Sequence, residues 1–132
     1  MRVLLDTNLL IQPPRVDLLT DPENTVLLTS ALCLAELQEG EFSPNSATRL
    51  QAPIDYANAK AALGDGLPFD DHAAMVYRAV CQATAVVGRE LVRHRRIDLM
   101  IAATAIAQGC TLATRNTDDF RGLEPLLDVI EL

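Results

Sequence analysis

The amino-acid sequence predicts an α/β domain built on a mostly parallel sheet. Short apolar runs alternate along the chain with longer segments of helical spacing, which is the order typical of that class. Hydrophobic residues make up 49% of the 132 residues and charged residues 22%, the composition of a globular chain. This length predicts one domain, residues 1–132, with enough apolar side chains for a core.

The strands are predicted from apolar runs that stop at polar residues, over 2–5, 26–29, 111–113 and 127–130. The helices are predicted from apolar periodicity, over 8–12, 31–38, 46–63, 71–87 and 96–108. Ser30 and either Asp70 or Asp71 suit N-caps, and Gly64 suits a helix end. Pro53 should break or kink the helix over 46–63.

Three carboxylates stand directly after a strand, in the helix that follows a strand, or in the first turn of a helix. Asp6 comes directly after the first strand, Glu36 lies in the helix after the second, and Asp98 lies in the first turn of the helix over 96–108. Each interrupts an apolar stretch, which predicts partial burial. Taken singly, two of them have a structural alternative: Asp6 could cap a helix, and Asp98 would gain roughly 0.3–1 kcal/mol from a helix dipole. Glu36 is the least easily explained this way, because its neighbour four residues on is Gly40 and no helix salt bridge holds it.

Convergence of these acids would demand a cation. Two carboxylates ~5 Å apart repel by about 3 kcal/mol at an effective dielectric constant near 20. Three of them stay ionised together only beside a positive charge, and otherwise their pKa values rise. Mg²⁺ and Mn²⁺ prefer such oxygen ligands, and a carboxylate-held ion of this kind hydrolyses phosphodiesters.

The formal charge of −7 argues against wholesale wrapping of nucleic acid, but the basic residues are clustered. Four arginines fall within eight residues directly before Asp98, which predicts contacts to phosphates. The alternative is a solvated helix end, or salt bridges to the excess acids. The four are Arg89, Arg93, Arg95 and Arg96.

Cysteine and hydropathy patterns favour a cytoplasmic protein. The three cysteines are far apart and form no CxxC pair, so we expect reduced core thiols. Asp6 interrupts the first apolar run, so we expect no signal peptide. No run approaches ~18 apolar residues, so we expect no membrane-spanning helix.

Four stretches, taken in order, resemble PIN-domain ribonucleases and especially the VapC toxins of VapBC toxin–antitoxin modules. They are LLDTNLLI, LTSALCLAELQEG, LPFDDHAAMVYRAV and RRIDLMIAATAIAQGCTLATRNTDDF. The resemblance implies a PIN-like three-layer domain with a central sheet flanked by helices. It also implies a Mg²⁺- or Mn²⁺-dependent endoribonuclease that acts on RNA. The implied partners are a VapB-type antitoxin and a second copy in a homodimer, within a toxin–antitoxin hetero-oligomer.

The resemblance also assigns roles to single residues. The three acids Asp6, Glu36 and Asp98 match the family's metal-holding positions. The residues that match polar positions bonding the carboxylates or metal-bound waters are Thr7, Thr114 and Asn116.

The fourth acidic position stays open among three residues. Asn116 stands where some family members place an acid, which weakens the case for a second metal ion. Asp119, before Phe120, matches the family's Asp-Phe pair and is our expected accessory acid, whereas we expect Asp118 to be exposed.

Two other functions stay open at this point. One is a catalytically inactive PIN-like binding module, and the other is a PIN-type nuclease that acts on DNA. A phosphatase with a nucleophilic aspartate is disfavoured, because Asn8 stands where such an enzyme usually has a second aspartate.

Overall fold

A single parallel sheet forms the centre of the computed structural model, which describes residues 1–132 apart from the side chain of Arg89. Every described strand pairing is parallel, in the order β2-β1-β3-β4. The α/β class is therefore confirmed. The strands are β1 (Arg2–Leu5), β2 (Val26–Leu28), β3 (Thr111–Thr114) and β4 (Val129–Glu131).

Helices flank the sheet, as the sequence predicts. Two of them begin at the predicted N-caps: Ser30 Oγ accepts from the Cys33 N–H at 3.0 Å, and Asp70 Oδ1 accepts from the Ala73 N–H at 3.0 Å. The helices are α1 (Thr7–Ile11), α2 (Ala31–Glu39), α3 (Ser46–Leu63), α4 (Asp71–Val87), α5 (Arg89–His94) and α6 (Arg96–Ala107).

Two local expectations were wrong, namely a break at Pro53 and the start of the last strand at residue 127. Pro53 does not break α3, which is continuous, since its exposed position leaves the carbonyl that loses its partner open to water. β4 begins two residues late because the Leu127 N–H still bonds to the Leu123 carbonyl in a turn, at 2.9 Å. The arginine segment is divided between two helices: residues 89–94 form the short helix α5, Arg95 lies between α5 and α6, and Arg96 begins α6.

Side chains alternate across the sheet and pack into separate clusters on its two faces. Leu4 and Leu112 pack with α4 and α6, whereas Val3, Leu5 and Ala113 pack with the buried face of α1. Helix α6 is buried over most of its length, at Leu99 and from Ile101 to Ala105. Because β1 and β3 are adjacent and parallel, their carboxyl ends lie side by side. The residues that directly follow these two strands therefore lie at the same edge of the sheet. None of the described helices is both long and apolar enough to cross a membrane.

Candidate metal centre

Three acids that are distant in sequence meet beyond the carboxyl end of β1. Asp6 follows β1, Glu36 lies in α2, and Asp98 lies in the first turn of α6. One carboxylate oxygen from each lies within 4.8 Å of the other two. The packing of α2 and α6 beside β1 thus creates a cluster that no local stretch contains.

Asp6 is held rigidly by both of its carboxylate oxygens. Its Oδ1 accepts from the Thr7 N–H at 2.8 Å, which caps α1, and its Oδ2 accepts from Thr114 Oγ1 at 2.9 Å. The Asp6 N–H donates to the Ala113 carbonyl at 2.9 Å. Asp6 is only 5% exposed. Asp6 therefore has both of the roles that the sequence left open, because one carboxylate caps α1 and also belongs to the cluster of acids.

Glu36 is oriented by the residue that follows Asp6. The Thr7 hydroxyl donates to Glu36 Oε1 at 2.7 Å. Thr7 thus connects two of the three clustered acids, because its N–H donates to Asp6 and its hydroxyl donates to Glu36.

Thr114 connects Asp6 to a second set of groups. It is fully buried at the end of β3, and its hydroxyl accepts from Asn8 Nδ2 and from the Asn116 N–H, both at 3.2 Å. Since a hydroxyl has one proton, these two donors leave that proton for the Asp6 carboxylate. Asn116 contributes through its backbone, while its side chain is exposed.

Asn8 is a residue of this network that the sequence analysis did not place in the site. Besides bonding Thr114, its Oδ1 accepts from the Arg115 N–H at 3.3 Å, which ties α1 to the loop after β3. Its position two residues after Asp6, on the same first turn, was the available signal.

Burial raises the pKa of each clustered carboxyl. For Asp6, hydrogen bonds from Thr114 and Thr7 offset part of the effect. The pKa of Glu36 is raised by burial and further by the charges of Asp6 and Asp98, against the Thr7 hydrogen bond. The pKa of Asp98 is raised by burial and by Asp6, and lowered by Arg95. The acids therefore destabilise one another unless a positive charge is present.

The donor set fits a hard divalent cation. It consists of carboxylate oxygens, with no sulfur or nitrogen atom among the clustered ligands of the described residues. One acid is buried and rigid and two are half-buried, so a cation could keep water in part of its coordination shell.

Arginines line a cleft beside the acids. Glu36 and Asp98 form part of its wall, and its volume is about 450 Å³. The side chain of Arg89 lies outside the described residues, so its predicted role stays a prediction. The remaining lining residues are Arg93, His94, Arg95, Arg96 and Ile97.

Asp119 lies outside the cluster of three acids and pairs with an arginine. Its Oδ1 forms an ion pair with Nη1 of Arg95. Asp118 is exposed, as expected. The role of Asp119 as an accessory acid stays a prediction, and in this structure the partner of its carboxylate is Arg95.

Known proteins resemble this chain in sequence and in fold. The sequence profile of the PIN domain matches residues 3–124. A search of curated proteins gave no match. Three solved structures superpose on nearly the whole chain.

The first, from Mycobacterium tuberculosis, is VapBC-5, a member of the VapBC family of toxin–antitoxin systems. It has 27% identity and a TM-score of 0.77, over 99% of this chain and 97% of that one. FitAcB from Neisseria gonorrhoeae has 26% identity and a TM-score of 0.70, over 97% and 96% of the two chains. VapBC2 from Rickettsia felis, solved with a DNA fragment from its promoter, has 24% identity and a TM-score of 0.70, over 100% and 99%.

The profile match covers most of the chain, and the superposed structures cover nearly all of it. The predicted PIN resemblance is thereby confirmed. These findings show that the chain belongs to the PIN domain family, whose members are nucleases.

Proposed function

We propose that this protein is a Mg²⁺-dependent endoribonuclease, with Mn²⁺ able to substitute, and the toxin of a VapBC-type module. The observation that carries the proposal is the meeting of Asp6, Glu36 and Asp98, with ligand oxygens within 4.8 Å of one another. The likeness to VapBC-5 and FitAcB supports the toxin assignment.

Each acid has a distinct part in holding the ion. Asp6 offers a fixed carboxylate, because Thr7 and Thr114 restrain both of its oxygens. Glu36 is oriented by the Thr7 hydroxyl, and Asp98 lines the same cleft as Glu36. A divalent cation held by these groups would supply an acidified water and positive charge for the phosphate.

Arginines would bring RNA to the acids. Arg93 and Arg96 are exposed and line the cleft that contains Glu36 and Asp98. Since the chain as a whole carries −7, attraction for phosphates must come from such a local group. We therefore propose that these side chains contact the phosphate backbone of the RNA, and such contacts position the substrate without reading its bases.

A VapB-type antitoxin and a homodimer complete the proposal. Their support is the similarity to proteins whose structures were solved as VapBC and FitAcB assemblies. Co-expression with a candidate antitoxin, followed by size-exclusion chromatography with light scattering, tests both. Co-elution at a defined stoichiometry is expected, and elution as separate monomers would contradict this part.

RNA cleavage by the purified protein tests the activity. We expect cleavage of structured RNA with Mg²⁺, and loss of cleavage with EDTA, with Asp6→Asn and with Asp98→Asn. Glu39→Gln is a matched control, because Glu39 is an exposed acid on the same helix as Glu36. Equal cleavage in all samples would refute the proposal.

Two further measurements separate the alternative functions. Parallel assays on single-stranded and duplex DNA of the same sequence identify a DNA nuclease by preferential DNA cleavage. Calorimetric titration of the free protein with Mn²⁺ tests the inactive binding module. If Asp6→Asn and the wild type both fail to bind the ion, that module is favoured.

A further inference from the structure

The ion pair between Arg95 and Asp119 is better shielded than the other ion pairs of the described residues. The side chains of Arg95 and Asp119 are 32% and 21% exposed. By contrast, the acid of the Lys60–Asp65 pair is 99% exposed, and the two partners of the third pair, Arg15–Asp17, are at least 60% exposed. Shielding from water strengthens an ion pair and reduces its screening by salt.

Backbone contacts fix both partners of this pair. Arg95 lies between α5 and α6, where its N–H donates to the Leu91 carbonyl and its own carbonyl accepts from the Leu99 N–H, both at 2.9 Å. Asp119 lies in the 3₁₀ turn Thr117–Phe120, and the neighbouring Phe120 is only 2% exposed. The pair therefore joins the turn after β3 to the start of α6 in one arrangement.

Arg95 also faces the candidate metal centre. It lines the cleft that Glu36 and Asp98 share. A guanidinium group has five N–H donors, its closest contact with Asp119 is through Nη1, and a carboxylate with two oxygens pairs with two of those donors at most. The other donors stay available for a phosphate, which guanidinium recognises with two parallel hydrogen bonds.

We propose that Arg95 contacts the phosphate that is cleaved and that Asp119 is a positioning residue, which holds Arg95 for that contact. This inference rests on the proposed nuclease function and assigns Asp119 a role through Arg95 instead of through the metal ion. The exposed arginines Arg93 and Arg96 differ, since they attract the RNA backbone without a fixed partner of this kind.

Steady-state kinetics separates these roles. Arg95→Ala should lower kcat on RNA about 10²-fold, as expected for loss of a donor to developing charge. Asp119→Asn should lower kcat about 10-fold with little change in KM, the scale seen when a partner that orients a functional group is lost. The double variant should be no slower than Arg95→Ala alone, because Asp119 acts only through Arg95.

Controls distinguish positioning from a loss of fold. Asp118→Asn removes the same charge from the exposed neighbouring acid and should leave kcat unchanged. Asp119→Glu keeps a carboxylate and should recover part of the lost rate. Thermal denaturation of each variant checks that its fold is intact.

Metal affinity gives the decisive readout besides activity. Titration with Mn²⁺ in the calorimeter should give the same Kd for the wild type and Asp119→Asn. Weaker Mn²⁺ binding together with a multiplicative loss in the double variant would overturn the inference and make Asp119 an accessory metal acid. An unchanged kcat in Asp119→Asn would overturn it as well. Failure of the proposed function is distinguishable, because the wild type would then not cleave RNA.

Discussion

Neutralising Asp98 should stabilise the metal-free protein while it removes the stabilisation given by a divalent cation. Asp98 is the suitable acid for this test because, within the described part of the chain, its carboxylate has no hydrogen-bond partner to lose. Its charge lies half-buried beside those of Asp6 and Glu36. Asp98→Asn has nearly the same shape, so the change removes mainly charge repulsion and the cost of burying the charge.

The magnitude follows from the geometry of the cluster. At the 4.8 Å limit between ligand oxygens, two charges repel by about 3 kcal/mol at an effective dielectric constant of 20. Asp98 is half-exposed, so water screens much of this repulsion, and we expect a gain of about 1 kcal/mol in the free energy of unfolding. That gain corresponds to a rise in Tm of about 4 °C for a chain of this size.

The sign of the pH dependence also follows. Because the pKa of Asp98 is raised in the folded protein, the folded state binds its proton more tightly than the unfolded state. The wild type therefore loses stability as pH rises from the ordinary aspartate pKa, about 4, through the raised folded value. The advantage of Asp98→Asn should appear across that window, persist at neutral pH, and vanish below it.

Thermal denaturation with EDTA and with Mg²⁺ measures both effects. The wild type should gain about 2.7 kcal/mol when Mg²⁺ reaches 100 times its Kd, whereas the variant should gain much less at the same concentration. A variant that is less stable than the wild type in EDTA and is equally stabilised by Mg²⁺ would refute this reasoning. Asp71→Asn, at an exposed acid on α4 away from the cluster, controls for general charge effects.

Three further changes test other parts of the structure. Thr114→Val should lower the free energy of unfolding by about 1 kcal/mol, because two partly buried donors lose their acceptor, and should weaken Mn²⁺ binding about 10-fold. Chemical denaturation and calorimetry measure these effects, and unchanged values would contradict the network. Burial raises the pKa of Cys33 to about 11, so iodoacetamide at pH 8 should label it only after unfolding, as followed by mass spectrometry. Labelling of Cys33 in the native protein would contradict its burial. Arg93→Ala should reduce the slope of log KM against log salt concentration by roughly 0.7, and an unchanged slope would remove Arg93 from the RNA contacts.

Features that depend on neighbouring residues could be predicted from the sequence. The strand ends near Asp6 and the N-caps Ser30 and Asp70 depend on short apolar runs and on single capping side chains. The helix over 46–63 was also predicted, with a break or kink expected at Pro53, yet the helix continues through Pro53. Its tolerance depends on exposure of that helix face, which is a property of packing.

The candidate site also combines features set by local sequence with features set by packing. The sequence by itself determined that Asp6 follows a strand, that Glu36 lies in the helix after the next strand and that Asp98 lies in the first turn of a helix, because local hydrophobic periodicity sets where strands and helices alternate. Only the tertiary structure decided that their oxygens approach within 4.8 Å and that Asp119 pairs with Arg95. Such distances join side chains on different elements, and they are set by how α2, α6 and the turn after β3 pack on the sheet.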